Sequence, residues 1–224
     1  MEEIRLIEIK EDILSDNDAV AKRLRDKLTR EKTFLLNLMS SPGAGKTSLI
    51  LQTIEKLRDE LQMGVIEADI DSIVDAEKVA AQGISAIQLR TGGFCHLDAS
   101  MVEKGLDSMD LGKFDFIIIE NVGNLVCPAE FDTGAIKNVM ILSVPEGDDK
   151  PLKYPLMFTV CDVLVVNKID YMEFSDFDIK AMRERVLNLN PGIKIFEVSA
   201  KTGQGIETWT NWLKEEVMSF IKEK

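Results

Sequence analysis

The chain has 224 residues, 45% of them hydrophobic and 29% charged, with a net charge of −12. That length supports one domain with a substantial core, and that charge argues against a nucleic-acid or anionic-membrane surface, since both need clustered Lys and Arg. The longest apolar runs, such as Phe116-Ile117-Ile118-Ile119, have strand length and fall far short of a bilayer span; Met1-Glu2-Glu3-Ile4 is acidic and lacks an apolar signal core; three cysteines make no disulfide framework, so a reducing cytoplasmic setting is expected.

Residues 1–32 read as an N-terminal helical segment packed on the rest. Ser15 followed by Asp18 suggests a capping-box variant, and Val20, Leu24 and Leu28 share one helix face. Beyond it, residues 33–224 alternate short apolar runs with helical periodicity. Strands are predicted at Thr33–Met39, Gly64–Ala68, Ile84–Leu89, Phe114–Glu120, Asn138–Val144, Val163–Asn167 and Ile193–Val198. Helices are predicted at Lys46–Leu61, Ala76–Gln82, Asp98–Met109, Asp176–Leu189 and Ile206–Lys222. Such alternation predicts an α/β fold: a mostly parallel central sheet with helices on both faces and ligands at the carboxyl ends of the strands. Pro145–Pro155 reads as the most loop-like, mobile stretch.

Between the first strand and the first helix of this repeat stands Ser40-Ser41-Pro42-Gly43-Ala44-Gly45-Lys46-Thr47. It matches the P-loop pattern G-x-x-x-x-G-K-[ST] except that Ser40 replaces the first glycine. Gly43, Ala44 and Gly45 let backbone N–H groups turn towards a β-phosphate, Lys46 reaches the β- and γ-phosphates, and the Thr47 hydroxyl suits Mg²⁺. Ser48 continues into the helix, whose N-terminus adds partial positive charge. The fold class sharpens to a three-layer P-loop NTPase.

Glu120 closes the fourth predicted strand, where P-loop proteins place an acid that holds Mg²⁺ directly or through water. Asp69 ends the second strand and suits a magnesium or water-positioning role, or a helix N-cap. Asp75 fits the nucleotide site and a helix start equally well, and Asp71 reads as solvated. No glutamine stands out to orient water, so slow intrinsic hydrolysis is expected. Further along, Asn167-Lys168-Ile169-Asp170 follows the strand Val163–Val166. A carboxylate at Asp170 pairs with guanine N1–H and the 2-amino group, whereas adenine would leave it unpaired. Ser199-Ala200-Lys201, after the last strand, completes a base pocket, and the reading is GTP rather than ATP.

The only histidine, His96, adjoins Cys95 in a glycine-led loop, and Cys127 lies just beyond Glu120. Two thiolates and an imidazole suit Ni²⁺ or Zn²⁺ rather than Ca²⁺ or Mg²⁺, and they leave a fourth position open for water or a second subunit. Buried structural cysteines are the alternative; Cys161, in an apolar run, reads that way. The segment from Glu120 to Cys127 joins the two candidate sites, and such a segment senses the γ-phosphate in nucleotide switches.

These motifs, together with Thr91–Ala99, Glu120–Pro128 and Glu146-Gly147-Asp148-Asp149-Lys150, resemble the hydrogenase and urease nickel-incorporation GTPases over essentially the whole chain after residue 30. The resemblance implies a GTP-hydrolysing nickel metallochaperone that forms a GTP-dependent homodimer with the metal site at its interface. It implies delivery of nickel, with a HypA-type nickel chaperone, to the large subunit of [NiFe] hydrogenase. By motif, Cys95, His96 and Cys127 take the metal roles, Lys46, Thr47 and Glu120 the phosphate and Mg²⁺ roles, and Asn167 and Asp170 the guanine role. Lys153 takes that of a lysine reaching the partner subunit's nucleotide. Many members carry an N-terminal cysteine-rich motif, and some a histidine-rich stretch. No cysteine precedes Cys95 here, so nickel affinity is expected from the Cys95–His96–Cys127 site. A GTP-regulated metal-storage or sensing module, and a GTPase serving another metalloenzyme such as urease, are the alternative readings.

Overall fold

A computed structural model of the chain describes residues 9–69 and 74–222. Asp71 therefore lies outside the described residues. Seven strands form one parallel sheet: β1 (Phe34–Ser40), β2 (Met63–Asp69), β3 (Ser85–Arg90), β4 (Phe116–Glu120), β5 (Lys137–Ser143), β6 (Val163–Asn167) and β7 (Lys194–Glu197), in the spatial order β3-β2-β4-β1-β5-β6-β7. All seven predicted strands are present. β1, β4, β5 and β6 are mostly apolar because both of their faces are largely buried.

The helices divide between the two faces. On one face α2 (Lys46–Leu57), α3 (Val74–Ala80) and α9 (Ile206–Lys222) cover Phe34, Leu36, Val65, Phe116 and Ile118. Trp209 of α9 is fully buried there and donates its indole N–H to Thr53 Oγ1 of α2 at 3.0 Å, which satisfies the polar edge of the largest core side chain. On the other face α1 (Ile9–Glu31) and α4 (Ala99–Asp107) pack on Leu35, Ile66, Ile117 and Ile119. Beside them α5 (Cys127–Glu130), α7 (Pro155–Val160) and α8 (Ile179–Leu189) pack on Met140, Leu142, Leu164 and Val166.

Three local readings change. Ser15 lies inside α1 rather than at its start, since Ile9 is already helical. Asp98 and Asp178 cap α4 and α8, accepting from Met101 N at 2.8 Å and from Lys180 N and Ala181 N at 2.9 and 3.0 Å, so those helices begin one residue past each cap. Pro145–Pro155 is not an open loop. Val144–Glu146 forms a 3₁₀ turn followed by α6 (Lys150–Lys153) and α7. Glu146 closes a capping box with Ser143, and Asp148 pairs with Arg185 at 3.1 Å. The prolines that suggested a loop occupy the first positions of these short helices, where a missing N–H costs nothing.

Candidate functional site

The phosphate loop runs from the end of β1, at the middle of the sheet, into α2. Gly43 and Gly45 have φ of 76° and 104°, the left-handed region open to glycine, and a Cβ at Gly45 would collide with the Asn167 side-chain amide. Ser40 does not have positive φ, so the strand end needs no glycine there. Its hydroxyl donates to Ser41 O at 2.7 Å and accepts from Lys46 Nζ at 3.2 Å. Lys46 is 8% exposed at the floor of a cleft of about 510 Å³. Ser48 is on the cleft lining, and Glu146 accepts from Ser41 Oγ and fixes the outer edge of the loop.

Two carboxylates lie under the cleft. The Thr47 hydroxyl donates to Glu120 Oε1 at 3.0 Å. Glu120 is the register partner of Glu67 on β2, and both are buried. Burial, then the charge of Glu120 and a hydrogen bond with it, push the Glu67 carboxyl up to about 9; burial also raises Glu120, while Lys46 and Thr47 hold it down. Glu67 went unread in the sequence. Its signal is an acid that shares its sheet face with Val65 in an otherwise apolar strand, and that signal gains meaning only when β2 is placed beside β4. Asp69 and Asp75 also line this cleft; Asp75 stands in the first turn of α3 and pairs with Lys78 at 2.7 Å, so it serves the helix start and faces the cleft together.

Across the loop, Asn167 ends β6. Its Nδ2 donates to Ala44 O at 2.9 Å, and its Oδ1 accepts from Ala200 N at 3.1 Å, so one buried amide ties the phosphate loop to the Ser199–Lys201 turn. Lys168 adopts φ of 61°, uncommon for a residue with a Cβ, and lays its ammonium on Gly43 O at 2.7 Å. Asp170 accepts from Ser199 Oγ at 2.6 Å, and Lys201 lies 6.0 Å from the Tyr171 ring centroid. Lys153 stands apart on the surface of α6, paired with Asp149 at 2.5 Å.

The sulfur site forms beside these. Cys95 Sγ and Cys127 Sγ are 3.0 Å apart, Cys95 Sγ and His96 Nδ1 are 4.0 Å apart, and the donor atoms of all three residues fall within 4.8 Å of one another. All three are half-buried, as ligands to an exchangeable ion would be. The His96 ring stacks on Phe131 with centroids 4.0 Å apart. Burial lowers the His96 pKa against the opposing pull of Asp98 and Glu130, which favours the neutral imidazole that ligates. The contact with Cys95, then burial, raises Cys127, so its thiol keeps a proton until a cation displaces it. Cys161 is fully buried and separate.

Segment 120–127 spans both sites. Asn121 N donates to Leu38 O at 3.0 Å, and its Oδ1 accepts from Leu97 N at 3.2 Å. Gly123 passes so close to Pro42 that a Cβ would stand 3.0 Å from its backbone. Asn124 N donates to Ser40 O at 2.8 Å, Asn124 Nδ2 donates to Cys95 O at 3.4 Å, and Asn124 Oδ1 accepts from Val126 N at 2.8 Å. In the sequence both asparagines stand out only as part of the Glu120–Pro128 stretch.

Residues 34–197 match the family described as CobW/HypB/UreG, nucleotide-binding domain. The hydrogenase maturation factor HypB of Escherichia coli K12 is 42% identical over 214 residues, covering 96% of this chain and 74% of that protein. The hydrogenase/urease maturation factor HypB of Helicobacter pylori J99 is 42% identical over 213 residues, covering 93% and 87%. A crystal structure of HypB from Helicobacter pylori in complex with nickel superposes with a TM-score of 0.87 at 39% identity, covering 93% of this chain and 98% of that one. With identities of this order over nearly its whole length, the chain belongs to the CobW/HypB/UreG family, in its HypB branch.

Proposed function

We propose that this chain is a GTP-hydrolysing nickel metallochaperone that helps load nickel into [NiFe] hydrogenase, with nickel as cargo and GTP as the control. One observation carries the proposal: Asn124 bonds to Ser40 of the phosphate loop and to Cys95 of the sulfur site, within a segment that begins at Glu120 and ends at Cys127. A change in what the phosphate loop holds therefore acts on the geometry of Cys127.

In this reading Lys46 and the N–H groups of Gly43–Ser48 hold the β- and γ-phosphates, and Asp170 with Ser199, Ala200 and Lys201 selects guanine. Asn167 and Lys168 brace the loop between them. The oxygens of Thr47, Glu120, Asp69 and Asp75 suit Mg²⁺. The fit rests on a buried, unpartnered Oε2 of Glu120 beside the Thr47 hydroxyl, a hard-oxygen donor set. When bound, Mg²⁺ supplies positive charge to the phosphate oxygens as the γ-phosphate leaves. Lys46 offsets the negative charge that builds on the same oxygens, and Asp69 or Asp75 orients the attacking water. Cys95, His96 and Cys127 hold Ni²⁺ or Zn²⁺, either of which this set accepts.

The remaining parts of the proposal are a cytoplasmic, GTP-dependent homodimer in which a second copy completes the metal shell and Lys153 reaches the partner's nucleotide, with transfer involving a HypA-type chaperone and the hydrogenase large subunit. A helical segment over residues 1–32, of which 1–8 lie outside the described residues, packed on a GTPase domain over 33–224 is the proposed domain plan. Among the described residues no helix is long and apolar enough to cross a membrane. A second reading, service to urease as well, is favoured by the hydrogenase/urease name of the Helicobacter pylori relative.

The deciding measurement is nickel affinity in the GDP state and with a non-hydrolysable GTP analogue, on the wild type and on Cys127→Ala. Coupling is reciprocal in binding free energy, so a nucleotide-dependent nickel affinity that disappears in Cys127→Ala is the expected outcome. Equal nickel affinity in both nucleotide states of the wild type would overturn the switch.

A further inference from the structure

We propose that Glu67 is a second carboxylate of the divalent-cation site beneath the nucleotide phosphates, acting beside Glu120. The inference rests on the nucleotide reading above and assigns a residue that none of the motifs contains.

The placement follows from strand register. β2 pairs with β4 so that Glu67 faces Glu120, and β2 pairs with β3 so that Glu67 faces Gln88. In-register residues of parallel neighbours point to the same face. Glu67 shares the face of Val65, and Glu120 that of Ile118, and both of those apolar residues belong to the core under α2. Gln88, Glu67 and Glu120 thus form a polar row across three adjacent strands, directly below the point where α2 delivers Lys46 and Thr47. All five side chains line the same cleft.

The row is not explained as packing. Glu67 is 3% exposed and Glu120 6% exposed. Among the described residues, three buried side-chain oxygens or nitrogens lack a hydrogen-bond partner, and two of them are Glu67 Oε1 and Glu120 Oε2. Buried polar groups are ordinarily satisfied, and two adjacent buried carboxylates repel each other. Two lysines line the cleft, but the Lys46 ammonium donates to Ser40 and is aimed at the phosphate loop, and Lys78 is paired with Asp75 at 2.7 Å. Without metal, a proton held on Glu67 and bonded to Glu120 relieves the repulsion but leaves those two oxygens without partners; a divalent cation takes the place of that proton, neutralises both carboxylates and gives each orphaned oxygen a partner, directly or through water. Carboxylate and hydroxyl oxygens are the donors that hard cations prefer, and the soft donors Cys95, His96 and Cys127 form their own cluster.

The test uses the full chain bound to GDP, with Mn²⁺ as a hard, paramagnetic probe that favours the oxygen site over the thiolate site. Mn²⁺ affinity is read by electron paramagnetic resonance, and affinity for a fluorescent GDP analogue is read separately in EDTA. Glu67→Gln keeps the shape and removes the charge. It should weaken Mn²⁺ binding by about 10- to 100-fold while leaving nucleotide affinity in EDTA within about threefold. Mn²⁺ affinity equal to that of the wild type overturns the proposal, whatever happens to thermal stability. Where Glu67→Gln fails to fold, Glu67→Ala, which removes the carboxylate altogether, replaces it with the same two outcomes. Absence of guanine-nucleotide binding by the wild type in EDTA and in Mn²⁺ would instead defeat the nucleotide reading itself.

Discussion

The backbone N–H of Asn124 meets the carbonyl oxygen of Ser40 at 2.8 Å, so the residue that ends β1 and opens the phosphate loop also holds the middle of the segment leading to Cys127. The Asn124 side chain extends the connection to Cys95 O and Val126 N. Asn124→Ala removes both side-chain bonds and leaves the backbone bond to Ser40. Allosteric couplings commonly amount to 1–3 kcal/mol, or about 5- to 150-fold in affinity. The ratio of nickel affinities between the GDP and GTP-analogue states should shrink towards one in Asn124→Ala, with nucleotide affinity within about twofold. Competition dialysis in the two nucleotide states measures this ratio, and one that stays at the wild-type value would remove Asn124 from the coupling path.

Much of this was legible in the sequence because its signals are local. The phosphate loop and Asn167–Asp170 each follow a strand whose apolar run is plain, Ser199–Lys201 follows the shorter Lys194–Glu197, and β1, β6 and β7 bring the three together. Cys95-His96 and Cys127 could be named but not joined, since the contact between their sulfurs depends on how two loops fold back beside each other. Glu67 was illegible for a related reason: its partner is set by strand order, and β2 lies next to β4 rather than β1. The stretch from Pro145 to Pro155 misled because proline marks both loops and helix starts, and the anchors that decide between them, Glu146 on Ser41 and Asp148 on Arg185, are long-range.

In the function proposed above, Asp170 sets base choice through its carboxylate, which Ser199 already orients. Asp170→Asn replaces one acceptor with a donor and faces guanine N1–H and the 2-amino group with it. Charged hydrogen bonds contribute about 1.5–3 kcal/mol each, so GTP affinity should fall by at least about 10-fold. Xanthine carries an oxygen at position 2 and should gain in affinity. Fluorescent GDP and XDP analogues titrated against both proteins test this, and an unchanged preference would place the guanine contact elsewhere.

The three cysteines should separate by reactivity. Cys95 and Cys127 are half-buried, whereas Cys161 is fully buried and its thiol is pushed far up by desolvation. In the native, metal-free chain a disulfide reagent should modify Cys95 and Cys127, the latter more slowly because its thiol is raised, and Cys161 only after unfolding. Saturating Ni²⁺ should protect the first two. Three fast-reacting thiols in the folded chain, or no protection by Ni²⁺, would contradict the assignment of Cys95 and Cys127 as the ligand pair.

Glu67 gives a pH signature with a definite sign. Its carboxyl moves from an ordinary 4.5 to about 9 on folding, chiefly by burial and then by Glu120. A raised carboxyl favours the protonated form in the folded chain, so its contribution to stability is full below 4.5. As pH climbs, the unfolded chain ionises freely while the folded chain resists, and stability drains away until the folded group itself titrates near 9. The limiting slope for one such group is about 1.4 kcal/mol per pH unit. In EDTA without nucleotide, the urea midpoint of the wild type should therefore fall between pH 5 and pH 9 more steeply than that of Glu67→Gln, whose side chain does not ionise. Adding GDP and Mg²⁺ should narrow the difference between the two proteins, because a cation on the pair favours both carboxylates ionised. Parallel pH profiles for wild type and Glu67→Gln in EDTA would mean that Glu67 titrates in the folded chain as it does in water.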